Sequence, residues 1–214
     1  MKPFRYLKLN GGNVCSVIYE PASKASVRVW EDWPDYKQGV LAVDLSRDTL
    51  FVNFPDQMFH NVYERGWMKN QVLLRIFSPQ LLGVDGFDTN FEMEKFNAQQ
   101  LDLHLSGRSQ MEVESINPQL QQLKISESDS SGVFFEMSPE YPGSKTFSVQ
   151  RVKAELRGNS WLGMGHAQIA NLQADIEDSA AIELSGSTLR SVKADSASKS
   201  GVSRVFLPSQ VAGR

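Results

Sequence analysis

Apolar residues in the second half of this chain fall into columns. Six segments beginning at Leu81, Leu101, Leu123, Val152, Leu172 and Val192 lie 20, 22, 29, 20 and 20 residues apart, and each opens on an apolar side chain. Ten residues further on stand Phe91, Met111, Val133, Leu162, Ile182 and Val202. Two beyond these come Met93, Val113, Phe135, Met164 and Leu184, with Arg204 breaking the sixth place. A small residue sits eight places after every start: Thr89, Ser109, Ser131, Ser160, Ala180 and Ser200. A fourth apolar column, three residues before each start from the second segment on, reads Ala98, Leu120, Val149, Ile169 and Leu189. Inside a segment the apolar residues alternate, as in Leu101, Leu103, Leu105 and then Met111, Val113, which places them on one face of a strand. Helical spacing is not sustained anywhere in this half.

Turn formers separate the apolar patches: Ser106-Gly107-Arg108, Arg157-Gly158-Asn159 and Asp178-Ser179. Three patches per twenty residues predict a coil with about three faces, stacked on its equivalents through parallel ladders. The expected fold is therefore all-β, a β-solenoid of the single-stranded parallel β-helix type. The small column suits an inward corner. The long step carries extra residues between Glu136 and Thr146, with Pro139, Pro142 and Gly143, and predicts a loop thrown from one face, a candidate for the binding side. Earlier in the chain, strands of antiparallel character are predicted at Phe4 to Leu9, Val14 to Tyr19, Ser26 to Trp30, Val40 to Leu45 and Leu50 to Phe54. Their separators include Asn10-Gly11-Gly12, suited to a tight turn. An aromatic connection from Pro55 to Asn70 precedes a strand over Val72 to Phe77. We expect a strand-rich region over 1–78 and the repeats over 79–214, either as two parts or as one continuous domain.

Several short stretches bear a family likeness. Leu9-Asn10-Gly11-Gly12-Asn13-Val14 stands where a Gly-Ile-Asn-Val type turn would follow a first strand, with Gly12 at the Ile position or the turn shifted by one. Ser26-Val27-Arg28-Val29, Asp48-Thr49-Leu50-Phe51-Val52, Val72-Leu73-Leu74-Arg75-Ile76 and Ser78-Pro79-Gln80-Leu81 continue the match, and Leu105-Ser106-Gly107 and Leu184-Ser185-Gly186 look like Ser-Gly-rich repeats. On these residues the chain resembles the bacterial "putative adhesin" family with a head GIN domain, formerly a domain of unknown function and common in Bacteroidetes. The resemblance implies an exported or surface β-helix protein without assigned catalytic residues. It also implies a leader or lipoprotein signal removed from this chain, and hence a place in the periplasm or on the cell surface.

Composition narrows the chemistry. With 214 residues, 41% of them hydrophobic, the chain can bury a substantial core. No stretch of about 18 apolar residues offers a membrane span. Net charge is −3, which gives no basic field for nucleic acid. The lone Cys15 excludes an internal disulfide and a multi-cysteine metal site. His60, His104 and His166 show no ligand spacing, so neither metal nor cofactor is expected. Acidic residues on the repeats are Asp102, Glu112, Glu114, Glu127, Asp129, Asp175, Glu177 and Asp178, and stacking brings Asp129, Asp178, Gly107 and Gly158 to one corner. The column Leu82, Asp102, Lys124, Lys153, Gln173 and Lys193 reads as a solvated mixed ladder. No Gly-x-Ser-x-Gly elbow and no phosphate-binding loop in a strand-to-helix setting is present.

Aromatic residues supply the binding candidates: Trp30 and Trp33 around Glu31-Asp32, with Tyr63, Trp67 and Tyr141 in loops, where flat rings could stack on sugars or hold a protein partner. Phe59 and Trp67 are alternatively expected to cap an edge. Val205-Phe206-Leu207-Pro208 reads as closing sequence, and Trp161 is expected to be exposed on its face. The reading is a non-enzymatic binding or adhesion module for a surface glycan or protein. The alternatives are a carbohydrate-active β-helix enzyme, lyase or hydrolase, and a self-associating structural solenoid.

Overall fold

The computed structural model of the chain describes residues 1–13, 15–30, 42–54, 72–115, 119–137, 147–184, 188–195 and 204–206. These residues form two nine-stranded sheets. The first runs, in spatial order, β17 (Thr188–Asp195), β15 (Gln168–Ile176), β13 (Ser148–Leu156), β11 (Gln119–Glu127), β9 (Gln100–Ser106), β7 (Gly83–Phe87), β1 (Tyr6–Asn10), β5 (Thr49–Asn53) and β4 (Ala42–Ser46). The second runs β18 (Arg204–Phe206), β16 (Ala181–Glu183), β14 (Trp161–Gly163), β12 (Gly132–Met137), β10 (Gln110–Ser115), β8 (Asn90–Phe96), β2 (Ser16–Pro21), β6 (Val72–Ser78) and β3 (Ser26–Val29). From β7 onward the chain visits the two sheets alternately. Both sheets are mixed: every ladder is parallel except the terminal pairs, β4 with β5 and β3 with β6.

The all-β expectation holds, and the expected β-solenoid, a single-stranded parallel β-helix with about three faces, is overturned by these two mixed sheets. The patch counted as a third face, Leu120, Val149, Ile169 and Leu189, is instead the beginning of the long strands β11, β13, β15 and β17. No turn separates it from the next patch. The alternation slips there: two successive side chains, Gln121-Gln122, Gln150-Arg151 and Ala170-Asn171, lie between inward apolar ones. Gln99 O accepts both the Gln121 N–H at 2.8 Å and the Gln122 N–H at 3.2 Å, and the pairing keeps its register across the slip, Leu120 with Val149 and Gln122 with Arg151, so the strands change phase together. The early strands also differ from expectation. β1 and β2 do not pair with each other but enter different sheets, β1 parallel between β5 and β7, β2 parallel between β6 and β8. Gly11 and Gly12, at φ 84° and 89°, turn the chain from one sheet into the other rather than closing a hairpin.

Most apolar columns become ladder neighbours. Leu101, Leu123, Val152, Leu172 and Val192 stand side by side in succession, as do Phe91, Met111, Val133, Leu162 and Ile182. The two ends are out by a few residues. Gly83 pairs with Asp102, which brings Leu82 rather than Leu81 level with Leu101, and Val205 rather than Val202 lies beside Ile182. Arg204 therefore falls next to Ala181 in the ladder. Thr89, Ser109, Ser131, Ser160 and Ala180 are all buried; the Ser109 and Ser131 hydroxyls donate to Ser106 O at 2.7 Å and Ser128 O at 2.8 Å.

The corner after the long strands repeats one device. Asp88, Gly107, Asp129, Gly158 and Asp178 all have φ between 49° and 70°. Each aspartate accepts a backbone N–H from a neighbouring strand connection: Asp88 from Arg108 at 2.7 Å, Asp129 from Gly107 at 2.9 Å, Asp178 from Gly158 at 3.1 Å. A Cβ on Gly107 would stand 2.4 Å from the Asp88 carboxylate, and one on Gly158 would stand 2.8 Å from Asp129 O. The Asp88 carboxylate fills the side-chain space at Gly107, and the Asp129 backbone fills it at Gly158.

One core position departs from the pattern. Glu127 is 1% exposed and lies in the ladder between Leu105 and Leu156; neither carboxyl oxygen has a partner at full hydrogen-bond geometry, and the Trp161 backbone N–H facing them only partly offsets their burial. Burial pushes its carboxyl from the ordinary 4.5 up to about 9. The fold holds this proton more tightly than the unfolded chain does, so its contribution is fully present below pH 4.5 and is lost as pH rises toward 9. Glu127→Leu is expected to stabilise the protein by about 2–4 kcal/mol at pH 8 and by much less near pH 4. Thermal unfolding at the two pH values checks this, and an equal gain at both would show that the carboxyl does not carry the proton. Gly158→Ala is expected to cost about 1–3 kcal/mol, read as a lower urea midpoint, because it forces a side chain into positive φ and against Asp129.

Candidate binding groove

Outward residues of the first sheet stack as regularly as inward ones. One outward column runs Tyr6, Gly83, Asp102, Lys124, Lys153 and Gln173 in ladder register across six strands. Beside it, starting at the slip in alternation, run Gln100, Gln122, Arg151 and Asn171. Four surface depressions of about 410, 180, 360 and 350 Å³ lie along these columns. Each shares lining residues with the next: Tyr6 and Asp102 join the first to the second, Gln100 and Gln122 the second to the third, Gln122 and Arg151 the third to the fourth. They form one groove crossing the strands. Five ladder steps from Tyr6 to Gln173 span about 24 Å.

The two ends of the groove differ chemically. At one end Tyr6 is 40% exposed and its ring leans over Gly83, where a Cβ would stand 3.0 Å from the ring. The missing side chain leaves the ring as a flat floor. Around it lie Phe51, Lys8 paired with Asp85 at 2.7 Å, and His104 at 3.2 Å from Asp102. At the other end three cations, Lys124, Arg151 and Lys153, line one depression together with the amides of Gln122, Asn171 and Gln173 and no carboxylate. Lys153 pairs with Glu155 at 2.8 Å, which holds the ammonium above the ordinary lysine range. Lys124 and Arg151 make no ion pair among the described residues. The middle of the groove is amide-rich, lined by Gln80, Asn97, Gln99, Gln100 and Gln121. Lys124 directly beside Lys153 is an unfavourable like-charge neighbour pair that the ladder enforces.

Of the aromatic candidates, Trp33, Tyr63, Trp67 and Tyr141 lie outside the described residues, as do Phe59, His60, Leu207, Pro208 and most of the long-step loop. Trp30 is half-buried against the core, and its N–H donates to Leu73 O at 3.0 Å, on the second sheet and away from the groove. Trp161, expected to be exposed, is half-buried. It stacks parallel to Phe134 with centroids 6.1 Å apart, the two rings covering the space over Gly163. The Cys15 thiol is buried, donates to Gly12 O at 3.4 Å and is pushed up to about 12 by burial.

The acidic candidates are dispersed. Asp102 lies in the groove, Glu127 in the core, and Asp129 and Asp178 cap the corner. Asp175 and Glu177 hold Arg157 at 2.8 and 3.1 Å. Glu112 and Glu114 belong to an outward ladder of the second sheet with Glu92 and Glu136. There burial, followed by the neighbouring Glu112, raises the Glu136 carboxyl, and burial also raises Glu92. Arg75 pairs with Glu20 and lies 3.8 Å from Glu94. Among the described residues no group of three or more His, Cys, Asp or Glu is placed to hold a metal ion, and no helix is long and apolar enough to cross a membrane.

No family model and no curated protein matches this chain. Solved structures do resemble it. A "putative lipid binding protein" from Parabacteroides distasonis superposes with a TM-score of 0.51 at 14% identity, over 96% of this chain and 91% of that one. A "putative adhesin" from Bacteroides fragilis gives 0.48 at 15%, over 96% and 92%, and another from Parabacteroides merdae 0.47 at 17%, over the same shares. At such identities the likeness is one of fold.

Because Lys124 stands between Asp102 and Lys153 in the ladder, Asp102→Asn, which removes the attraction and leaves the repulsion, is expected to lower the melting temperature slightly at low ionic strength. The loss should vanish near about 0.5 M salt, where charges at this separation are screened. A salt-independent effect would show that Asp102 and Lys124 do not interact.

Proposed function

We propose that this chain is a non-enzymatic, extracytoplasmic binding module of the Bacteroidetes adhesin type, with a head GIN-like N-terminal region, and that the groove on its first sheet holds a glycan chain. The continuity of the groove carries this reading: an exposed tyrosine, a run of side-chain amides and a basic end lie in register over about 24 Å. Amides and carboxylates offer paired donors and acceptors to sugar hydroxyls, and an aromatic ring offers a face to the apolar side of a pyranose. The carboxylates that a β-stranded lyase or hydrolase would need are spread over the groove, the core, the corner and the opposite sheet. Uptake of a lipid, suggested by the name of one similar structure, finds no support between the sheets: the inward positions there are filled by Leu9, Tyr19, Phe91, Phe96 and Phe135, each nearly inaccessible.

The N-terminal strands β1 and β2 are laced between β5, β6, β7 and β8, which favours residues 1–78 and 79–214 acting as one unit. Whole protein passed over a panel of immobilised polysaccharides is expected to bind at least one and to release neither reducing ends nor unsaturated products. Gln122→Ala with Tyr6→Ala is expected to weaken that binding at least about tenfold. Turnover of a bound polysaccharide would overturn the reading, and so would binding that the double variant leaves unchanged.

A further inference from the structure

We infer that the glycan taken by the groove is acidic, with a carboxylate or sulfate group lodged among Lys124, Arg151 and Lys153 and a pyranose ring further along resting on Tyr6; this rests on the glycan-binding reading above. The basic depression has a composition that a solvated surface does not require. Lys124 is the ladder neighbour of Lys153, and Arg151 stands two residues before Lys153 on the same strand, in a chain whose net charge is −3. Among the described residues Lys153 alone of the three makes an ion pair, with Glu155, while Asp102 stands on the other side of Lys124 in the ladder. Repulsion between neighbouring like charges raises the free energy of the empty groove, and an anion bridging them removes it.

Arg151 adds a planar fork suited to two parallel hydrogen bonds with a carboxylate or sulfate, and the Gln122 and Gln173 amides supply further donors. A small free anion would use only this depression. The shared Gln122 and Arg151 that connect it to the amide-lined middle, and the Tyr6 floor beyond, extend the site to the length of several sugars. The opposite face of the molecule carries the Glu92, Glu112, Glu114 and Glu136 ladder, which repels such a polymer, so one face alone is expected to bind it.

The test is calorimetric titration of the whole protein with polygalacturonate, dextran sulfate, neutral dextran, polyglutamate and phosphatidylglycerol vesicles. Binding is expected for polygalacturonate or dextran sulfate, the stronger of the two identifying the anionic group. It should weaken as salt rises from about 0.05 to 0.5 M. Lys124→Gln and Arg151→Gln should each weaken it at least about tenfold, and Tyr6→Ala should also weaken it, while Phe87→Ala, exposed on the same sheet outside the groove, should not. Equal binding of neutral dextran without salt dependence would overturn the acidic assignment and leave the glycan module standing. Binding of polyglutamate or of vesicles as tightly as the acidic glycans, unaffected by Tyr6→Ala, would overturn it in favour of bare charge attraction. Failure of every polysaccharide to bind would remove the glycan-binding reading itself.

Discussion

Parallel pairing in register is the constraint on which the rest of this structure depends. Adjacent strands are held about 4.8 Å apart by their backbone hydrogen bonds, so whatever a residue presents on one strand it presents next to the equivalent residue of its neighbours. An apolar residue that alternates correctly then meets apolar residues on both sides, as Leu123 meets Leu101 and Val152. A charged or large residue is equally exposed to its neighbours. Glu127 between Leu105 and Leu156 is the cost of one such mismatch. Glycine at Gly107 and Gly158 answers another, since a side chain there would meet the Asp88 carboxylate or the Asp129 backbone of the neighbouring level.

The same constraint builds the surface. The slip in alternation at Gln121-Gln122, Gln150-Arg151 and Ala170-Asn171 occurs at the same level in three successive strands, and because the pairing keeps its register there, the strands change phase together. Side chains that would have been buried by strict alternation turn outward there. They are polar in sequence for that reason, and they supply the second wall of the groove. Binding chemistry and fold are thus set by one local event repeated from strand to strand.

Much of the core was legible in the sequence, since a column of inward residues must be apolar at every level and the spacing of Leu101, Leu123, Val152 and Leu172 could be read directly. The number of faces was not. An apolar patch ended by two polar residues looks the same whether the chain turns a corner or slips phase within a strand, and Leu120-Gln121-Gln122-Leu123 is the second case. The terminal levels were misplaced by one residue at Leu82 and by three at Val205, where the spacing between repeats changes and periodicity gives no warning. Pairing of β1 with β7 brings residues far apart in sequence together, and no local pattern announces it. Local sequence therefore does not reveal Tyr6 as the neighbour of Gly83, and the column from Leu82 through Asp102 to Lys193 reads as a solvated mixed ladder. Arg151 was the available signal, a cation at a position where its own strand had just broken alternation.

The distance between Tyr6 and Gln173 tests this account most directly. These residues lie five ladder steps apart on one face, so spin labels placed there, on a chain whose Cys15 is buried, report on every intervening register at once. A single narrow distribution centred near about 24 Å between backbone positions is expected from five parallel steps. A broad distribution, or one centred beyond about 35 Å, would mean that the two residues do not share a continuous column, and the groove would not exist.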